Sequence, residues 1–257
     1  MAFYHQLMNL DDFFINIAFK TKHVLRVNKP SLFKIRRKMN ALPLEGIGDD
    51  LYIILNGPSL KTQDLLKLKG KTLMFVNRGF LHPSYKELQP KYHVFVDSKL
   101  ITGVWPVEWL DQIWELSPNT RIILPLEWYN NPKFNLIKDD SRIYWLDWEI
   151  PFYGIGVSST CFSFAIKEKF DNIYFTGFDA NGLAYDMVKK SENSHFYGAD
   201  AELKDMTCNQ FALALYSHSI HLRSLIKFAH YCEKNKIMIK NFTNGGILDM
   251  FPRCTIL

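Results

Sequence analysis

The chain has 257 residues, 47% of them hydrophobic and 22% charged, with 13 Gly and 11 Pro. Those proportions exclude a collagenous, low-complexity or wholly disordered chain and supply enough apolar material for one compact α/β-sized domain with appendages. The formal net charge of +5 is mild, and aromatic residues, at 15%, are the one outlier in composition.

The first 48 residues read as a basic amphipathic segment, with the main domain spanning residues 49–257. The start, Met1 to Lys20, has no basic stretch followed by a clean apolar run and a small-residue cleavage site, so it is not expected to be a signal peptide. No run of apolar residues is long enough to predict a membrane span. Lys20, Lys22, Arg26, Lys29, Lys34, Arg36, Arg37 and Lys38 fall within 19 residues that contain no Asp or Glu, interleaved with Phe19, Val24, Leu25, Leu32, Phe33 and Ile35 and preceded by Phe13, Phe14, Ile15 and Ile17. Residues 12–38 therefore suit an anionic membrane surface, and a solvated helical face with a flexible lead-in is the plain alternative. Nucleic acid, which would use the same charges, is not the expected partner.

From residue 51 the pattern becomes regular. LYIIL (51–55) is an apolar, β-branched run ending in Asn56-Gly57-Pro58-Ser59, which predicts a buried strand, a tight turn and a helix covering Asp64 to Leu68 with Ser59 as its cap. TLMFVN (72–77), YHVFVD (92–97), RIILPL (121–126), RIYWLD (142–147) and NIYFTGFD (172–179) repeat the form, and helical patterns run from Val157 to Phe170 and from Asp205 to Lys234. Near-continuous apolar strands alternating with helices predict an α/β, Rossmann-like domain with a mostly parallel sheet and helices on both faces.

Ligands of such sheets bind at the carboxyl ends of the strands. The residues there are Asn56-Gly57-Pro58-Ser59, Asn77-Arg78, Asp97-Ser98 and Gly177-Phe178-Asp179, polar and small enough for a nucleotide site. The first turn carries neither a GxGxxG nor a GxxxxGK[ST] pattern, although a helix starting at Ser59 would offer free N–H groups to an anion. His195, in the polar stretch Asn193-Ser194-His195-Phe196-Tyr197-Gly198, is the candidate general base, and a surface histidine is its alternative. Tyr185 is placed to donate to a departing phosphate oxygen in place of a metal ion. No DxD pair stands near a strand end, so no metal or other cofactor is expected. His218, His221 and His230 read as helix-surface or packed side chains. The cysteines (Cys161, Cys208, Cys232, Cys254) lack a CxxC pair and read as reduced, buried small side chains of a cytosolic protein. The Trp-rich stretches between residues 105 and 153 are candidates for stacking on a sugar.

In order and spacing, Asn56-Gly57-Pro58-Ser59-Leu60, Phe75-Val76-Asn77, Gly156-Val157 opening a helix, Ile173-Tyr174-Phe175-Thr176-Gly177-Phe178-Asp179 and Asn193-Ser194-His195-Phe196-Tyr197-Gly198 resemble the bacterial sialyltransferases of glycosyltransferase family 42, over roughly residues 50–200. The resemblance implies a variant GT-A domain and an inverting, metal-independent transfer of a CMP-activated acidic sugar to a glycan or glycolipid acceptor of the bacterial surface, such as lipooligosaccharide, O-antigen or capsule. It implies that Asn56, Gly57, Pro58 and Ser59 hold the CMP phosphate and ribose, and that Asn77, Gly156, Gly177 and Asp179 complete the nucleotide site. Tyr185 would assist the departing phosphate and His195 would be the base. An enzyme of this kind is expected in the cytoplasm, peripheral on the inner face of the cytoplasmic membrane, and open to homo-oligomerisation.

Phe152-Tyr153-Gly154-Ile155-Gly156-Val157 stands where the family has Arg-x-Thr-Ser-Gly-Val, so the donor sugar is either sialic acid or a related 2-keto acid sugar such as Kdo or pseudaminic acid. Asn241-Phe242-Thr243-Asn244-Gly245-Gly246, with Met250-Phe251-Pro252-Arg253, is similar instead to the end of pterin pyrophosphokinase-like proteins that share the Gly-Pro-Ser-Leu turn. Two alternatives follow: a magnesium-dependent phosphoryl transfer using Asp97 and Asp179, or a nucleotide-binding protein with a degraded site.

Overall fold

The six apolar runs form six parallel strands, and a seventh strand follows the long C-terminal helix. The computed structural model describes residues 2–148, 156–180, 195–198 and 207–255. In chain order they form α1 (Ala2–Val27), α2 (Pro30–Asn40), β1 (Asp50–Ile54), β2 (Thr72–Val76), α3 (Tyr85–Leu88), β3 (Tyr92–Val94), α4 (Lys99–Thr102), α5 (Trp109–Leu116), β4 (Arg121–Pro125), β5 (Ile143–Leu146), α6 (Gly156–Lys167), β6 (Asn172–Thr176), α7 (Cys208–Lys234) and β7 (Met238–Asn241). All seven strands join one sheet in the order β5-β4-β3-β2-β1-β6-β7, and every pairing is parallel. This is an α/β, Rossmann-like architecture. Central strands with both faces covered need apolar side chains at successive positions, and Leu51, Ile53, Ile54, Phe75, Val94, Ile123 and Phe175 are fully buried.

The order places a topological switch at β1. The chain leaves β1 toward β2 and works out to the β5 edge, then crosses back to set β6 on the other side of β1. In open parallel sheets the ligand crevice lies outside the carboxyl ends of the strands at such a switch point.

The basic N-terminal segment shares the sheet's core. α2 starts with Pro30 in its first turn and buries Leu32, Ile35 and Met39, which join Val27 and the strand residues in one hydrophobic cluster. Several of its charges are paired: Arg36 Nε lies 2.5 Å and His23 Nε2 3.0 Å from the carboxylate of Asp147, and Arg26 reaches Glu127 at 2.9 Å. α7 opens with a capping box between Thr207 and Gln210.

Two expectations need correction. Ser59 caps no α-helix: Pro58–Thr62 and Leu65–Leu68 are short 3-10 turns, and the second is capped by Asp64, whose side chain accepts from the Leu66 N–H. Pro58 removes one donor and the run is too short to nucleate a full α-helix. Of the tryptophans, Trp114, Trp128 and Trp145 are buried in the core, whereas Trp105 and Trp148 stand on the wall of a cavity at the carboxyl ends of the strands. Cys208 is exposed at the start of α7, unlike the buried Cys161 and Cys232.

Candidate functional site

The crevice encloses a cavity of about 900 Å³ at the carboxyl ends of the strands, and its wall includes Asn56, Gly57, Asn77, Asp97, Gly156, Gly177, Asp179 and His195. The residues that end β1, β2 and β6, the start of α6 and the 195–198 turn thus meet in one place. One side is closed by α1 through Phe19, His23 and Arg26, and another by α7 through His218, His221 and Leu222. Pro58 and Ser59 lie beside the cavity and are not part of its wall. Tyr185 lies outside the described residues.

The floor is built from close backbone approaches. Gly57 N–H donates to the Gly177 carbonyl at 2.8 Å, joining the two strand ends directly. A Cβ on Gly57 would come within 1.7 Å of Asp179 Oδ2 and 2.5 Å of the Gly177 carbonyl, so only glycine fits. Gly177 has φ +66°, and a Cβ there would meet the Leu55 carbonyl at 2.6 Å.

Asp179 occupies the place where the sequence suggests a bound anion. Its carboxylate accepts from Ser59 Oγ at 2.9 Å and from the Ser59 N–H at 3.2 Å, from a position 120 residues further along the chain. Burial pushes the Asp179 carboxyl above its ordinary value, and the Ser59 bonds offset part of that rise. The expectation that the turn at Ser59 presents free N–H groups is therefore corrected: the Ser59 donors are already satisfied by this carboxylate. α6 is the full α-helix that opens on the crevice, where Gly156, Val157 and Ser158 form part of the wall; the first N–H groups of an α-helix lack partners within it.

Asn56 and Asn77 line the crevice, and the side-chain oxygen of each is buried with no hydrogen-bond partner among the described residues. Asn56 Nδ2 donates to the Val76 carbonyl at 3.1 Å, which fixes the amide and leaves Oδ1 buried without a donor. The side-chain Oδ1 of Asn77 is likewise buried without a donor, and Asn77 has the left-handed φ of +47° that asparagine tolerates at a turn. Its carbonyl is held by His93 Nε2 at 2.8 Å, while His93 Nδ1 lies 2.9 Å from the Tyr85 hydroxyl. A carbonyl only accepts, so Nε2 carries the proton and Nδ1 accepts from Tyr85. Burial drives His93 down to about 3, so it is neutral.

His195 sits at the start of a tight turn closed by reciprocal backbone bonds with Gly198, both 3.1 Å. The turn is pinned to the floor where the Phe196 N–H donates to the Asn56 carbonyl at 3.0 Å. The His195 ring stacks on Tyr197 with centroids 4.9 Å apart. Beneath Tyr197 the guanidinium of Arg78 lies over the rings of Tyr197, Trp105 and Trp109 at 5.1 to 5.8 Å. These contacts fix the imidazole beside the two asparagines.

Two features acquire their place only in the structure. His221, read there as helix-surface or packed, faces the crevice with Nε2 3.1 Å from Ser158 Oγ, and burial holds it at about 4. The Gly245-Gly246 segment braces the floor: Arg253 donates to the carbonyls of Thr243, Gly245 and Gly246, a Cβ on Gly246 would come within 2.8 Å of the Asp179 carbonyl, and Thr243 Oγ1 accepts from the Phe178 N–H. Their contacts with the crevice have no local signature, because His221 with Ser158 and Thr243 with Phe178 are each more than 60 positions apart.

Among the described residues no group of three or more His, Cys, Asp or Glu side chains is placed to hold a metal ion, and no described helix is long and apolar enough to cross a membrane. No protein-family model matches the chain, and neither does any curated protein or solved structure.

Proposed function

We propose that the protein is an inverting glycosyltransferase that uses a CMP-activated acidic sugar, sialic acid or a related 2-keto acid sugar, and that His195 is its general base. The observation that carries this reading is the meeting of His195, Asn56, Asn77 and the first turn of α6 in one crevice at the topological switch. The donor class itself rests on the resemblance of the motifs.

In the reaction, His195 takes the proton of an acceptor hydroxyl as that oxygen forms its bond to the anomeric carbon. The bond from that carbon to the phosphate oxygen breaks on the opposite face, and CMP departs with the electron pair. The N-terminal turn of α6 supplies a positive dipole end for the departing phosphate, and Tyr185 is the proposed further donor. The acceptor is a bacterial surface glycan or glycolipid, and the work site is the cytoplasmic side of the membrane.

The test is a thermal-shift series with CMP, CDP, UDP, GDP and ATP, each with and without magnesium, because a ligand that binds only the folded chain raises its melting temperature. CMP is expected to raise it without need of magnesium. A response confined to ATP with magnesium would favour phosphoryl transfer by Asp97 and Asp179 and overturn the proposal. With a donor in hand, His195→Ala is expected to lose transfer while retaining the CMP shift; full retained transfer would remove His195 from the role of base.

A further inference from the structure

α1 is amphipathic the wrong way round for a helix packed on a soluble core. Its inward side is polar: Asp12 pairs with Arg223 at 3.1 Å and with Lys227 at 2.7 Å, Asp11 takes Arg223 at 2.7 Å and the Tyr216 hydroxyl at 2.8 Å, and His23 and Arg26 reach Asp147 and Glu127. Its outward side is apolar: Leu10, Phe13, Phe14, Ile17, Val24 and Leu25 are between 47% and 72% exposed. Positions 10, 13, 14, 17 and 24 follow the i, i+3, i+4, i+7, i+14 spacing of a single helical stripe, about 21 Å long at 1.5 Å per residue. A contiguous exposed stripe of this kind marks an interaction surface.

The charges beside the stripe say what covers it. At about 100° per residue Lys20 and Lys22 fall on its two flanks, between the stripe and the crevice mouth that they help to line, and both are exposed, as are Lys29, Lys34, Arg37 and Lys38 in the residues that follow. The only carboxylates before residue 45, Asp11 and Asp12, are turned inward and neutralised by α7. A two-fold contact with a second copy would set these cations against one another. An anionic lipid surface accepts both parts at once, the aromatic and aliphatic stripe entering the headgroup boundary while the lysines remain among the phosphates.

We propose that the outward face of α1, centred on Phe13, Phe14 and Ile17, docks the protein on an anionic membrane surface. The inward face of the same helix places Phe19, His23 and Arg26 on the crevice wall, so docking and ligand access share one element. The docking itself is independent of which donor the crevice takes.

The test uses the full chain and sedimentation with vesicles of phosphatidylcholine alone or mixed with phosphatidylglycerol. Binding is expected to the mixed vesicles, to weaken with salt and to be at or near background on the neutral ones. The pair Phe13→Ser and Phe14→Ser should weaken partitioning about ten-fold or more, and Lys20→Glu with Lys22→Glu should abolish the preference for anionic lipid. Because these side chains are exposed, all four substitutions should leave the melting temperature and circular dichroism unchanged. Absence of binding to mixed vesicles, or binding indifferent to the phenylalanine pair, overturns the proposal. So does a wild type that sediments as a dimer in free solution and becomes monomeric in the phenylalanine variant without any vesicle binding, since the stripe would then lie between copies.

Discussion

His93 ties the fold to the crevice, and its burial makes a quantitative prediction. The side chain is completely buried between the Tyr85 hydroxyl and the Asn77 carbonyl, and it remains neutral down to about 3. His221 behaves likewise down to about 4. The unfolded chain takes up a proton near the ordinary histidine value of 6.5, and the folded chain does not. The depressed folded value means that the stability is fully present above pH 6.5 and is lost as pH falls toward the folded value. At pH 5.0 neither folded value has been reached, so each histidine costs about 1.4 kcal/mol for each pH unit below 6.5, or about 2 kcal/mol. Between pH 7.5 and 5.0 the pair removes about 4 kcal/mol, a large part of the stability of an ordinary domain. The expectation is checked by urea unfolding at several pH values, followed by circular dichroism and tryptophan fluorescence. His93→Leu should cost about 1–3 kcal/mol at pH 7.5, because the Tyr85 hydroxyl and the Asn77 carbonyl each lose a buried hydrogen bond. It should also reduce the loss between pH 7.5 and 5.0 by about half. A His93→Leu curve that runs parallel to the wild type over this range would refute the argument, since the carboxylates titrating there are common to both chains.

Three further outcomes follow from the same geometry. Gly57→Ala forces Asp179 off Ser59 and should destabilise by about 3 kcal/mol or more through overpacking and lost charge-assisted bonds, lowering the melting temperature by about 6–12 °C; a shift under 2 °C would mean that the floor yields easily. Asp179, with its carboxyl raised by burial, contributes stability below pH 3.8 that is lost as pH rises through its folded value. At pH 7 Asp179→Asn keeps an acceptor for Ser59 and should therefore change stability by less than about 1 kcal/mol in denaturant titrations. Arg223→Ala removes the main cation between Asp11 and Asp12 and should cost about 2–3 kcal/mol, with loosening of α1 seen as faster amide exchange over that helix.

Much of the architecture is legible in local sequence. Six apolar runs of similar length specify six strands, because a buried strand needs consecutive apolar side chains whatever its neighbours are. The residues ending those runs, Asn56, Asn77 and Gly177 among them, are also where the crevice lies, since the carboxyl ends of parallel strands share one edge of the sheet. What local pattern cannot carry is the identity of partners distant in sequence. Strand order set β6 beside β1 and so brought the Asp179 carboxylate onto Ser59, taking the donors that the turn alone seemed to offer. The same long-range assembly placed His93 under Asn77, turned His221 toward Ser158 and divided the tryptophans between the core and the crevice wall. Helical periodicity marked α1 as amphipathic, but only packing against α7 and the β5 end decided that its aspartates and His23 face inward and Phe13 and Phe14 outward. Periodicity defines which residues share a face, whereas the choice of the face to bury depends on the complementary charges that the rest of the chain presents.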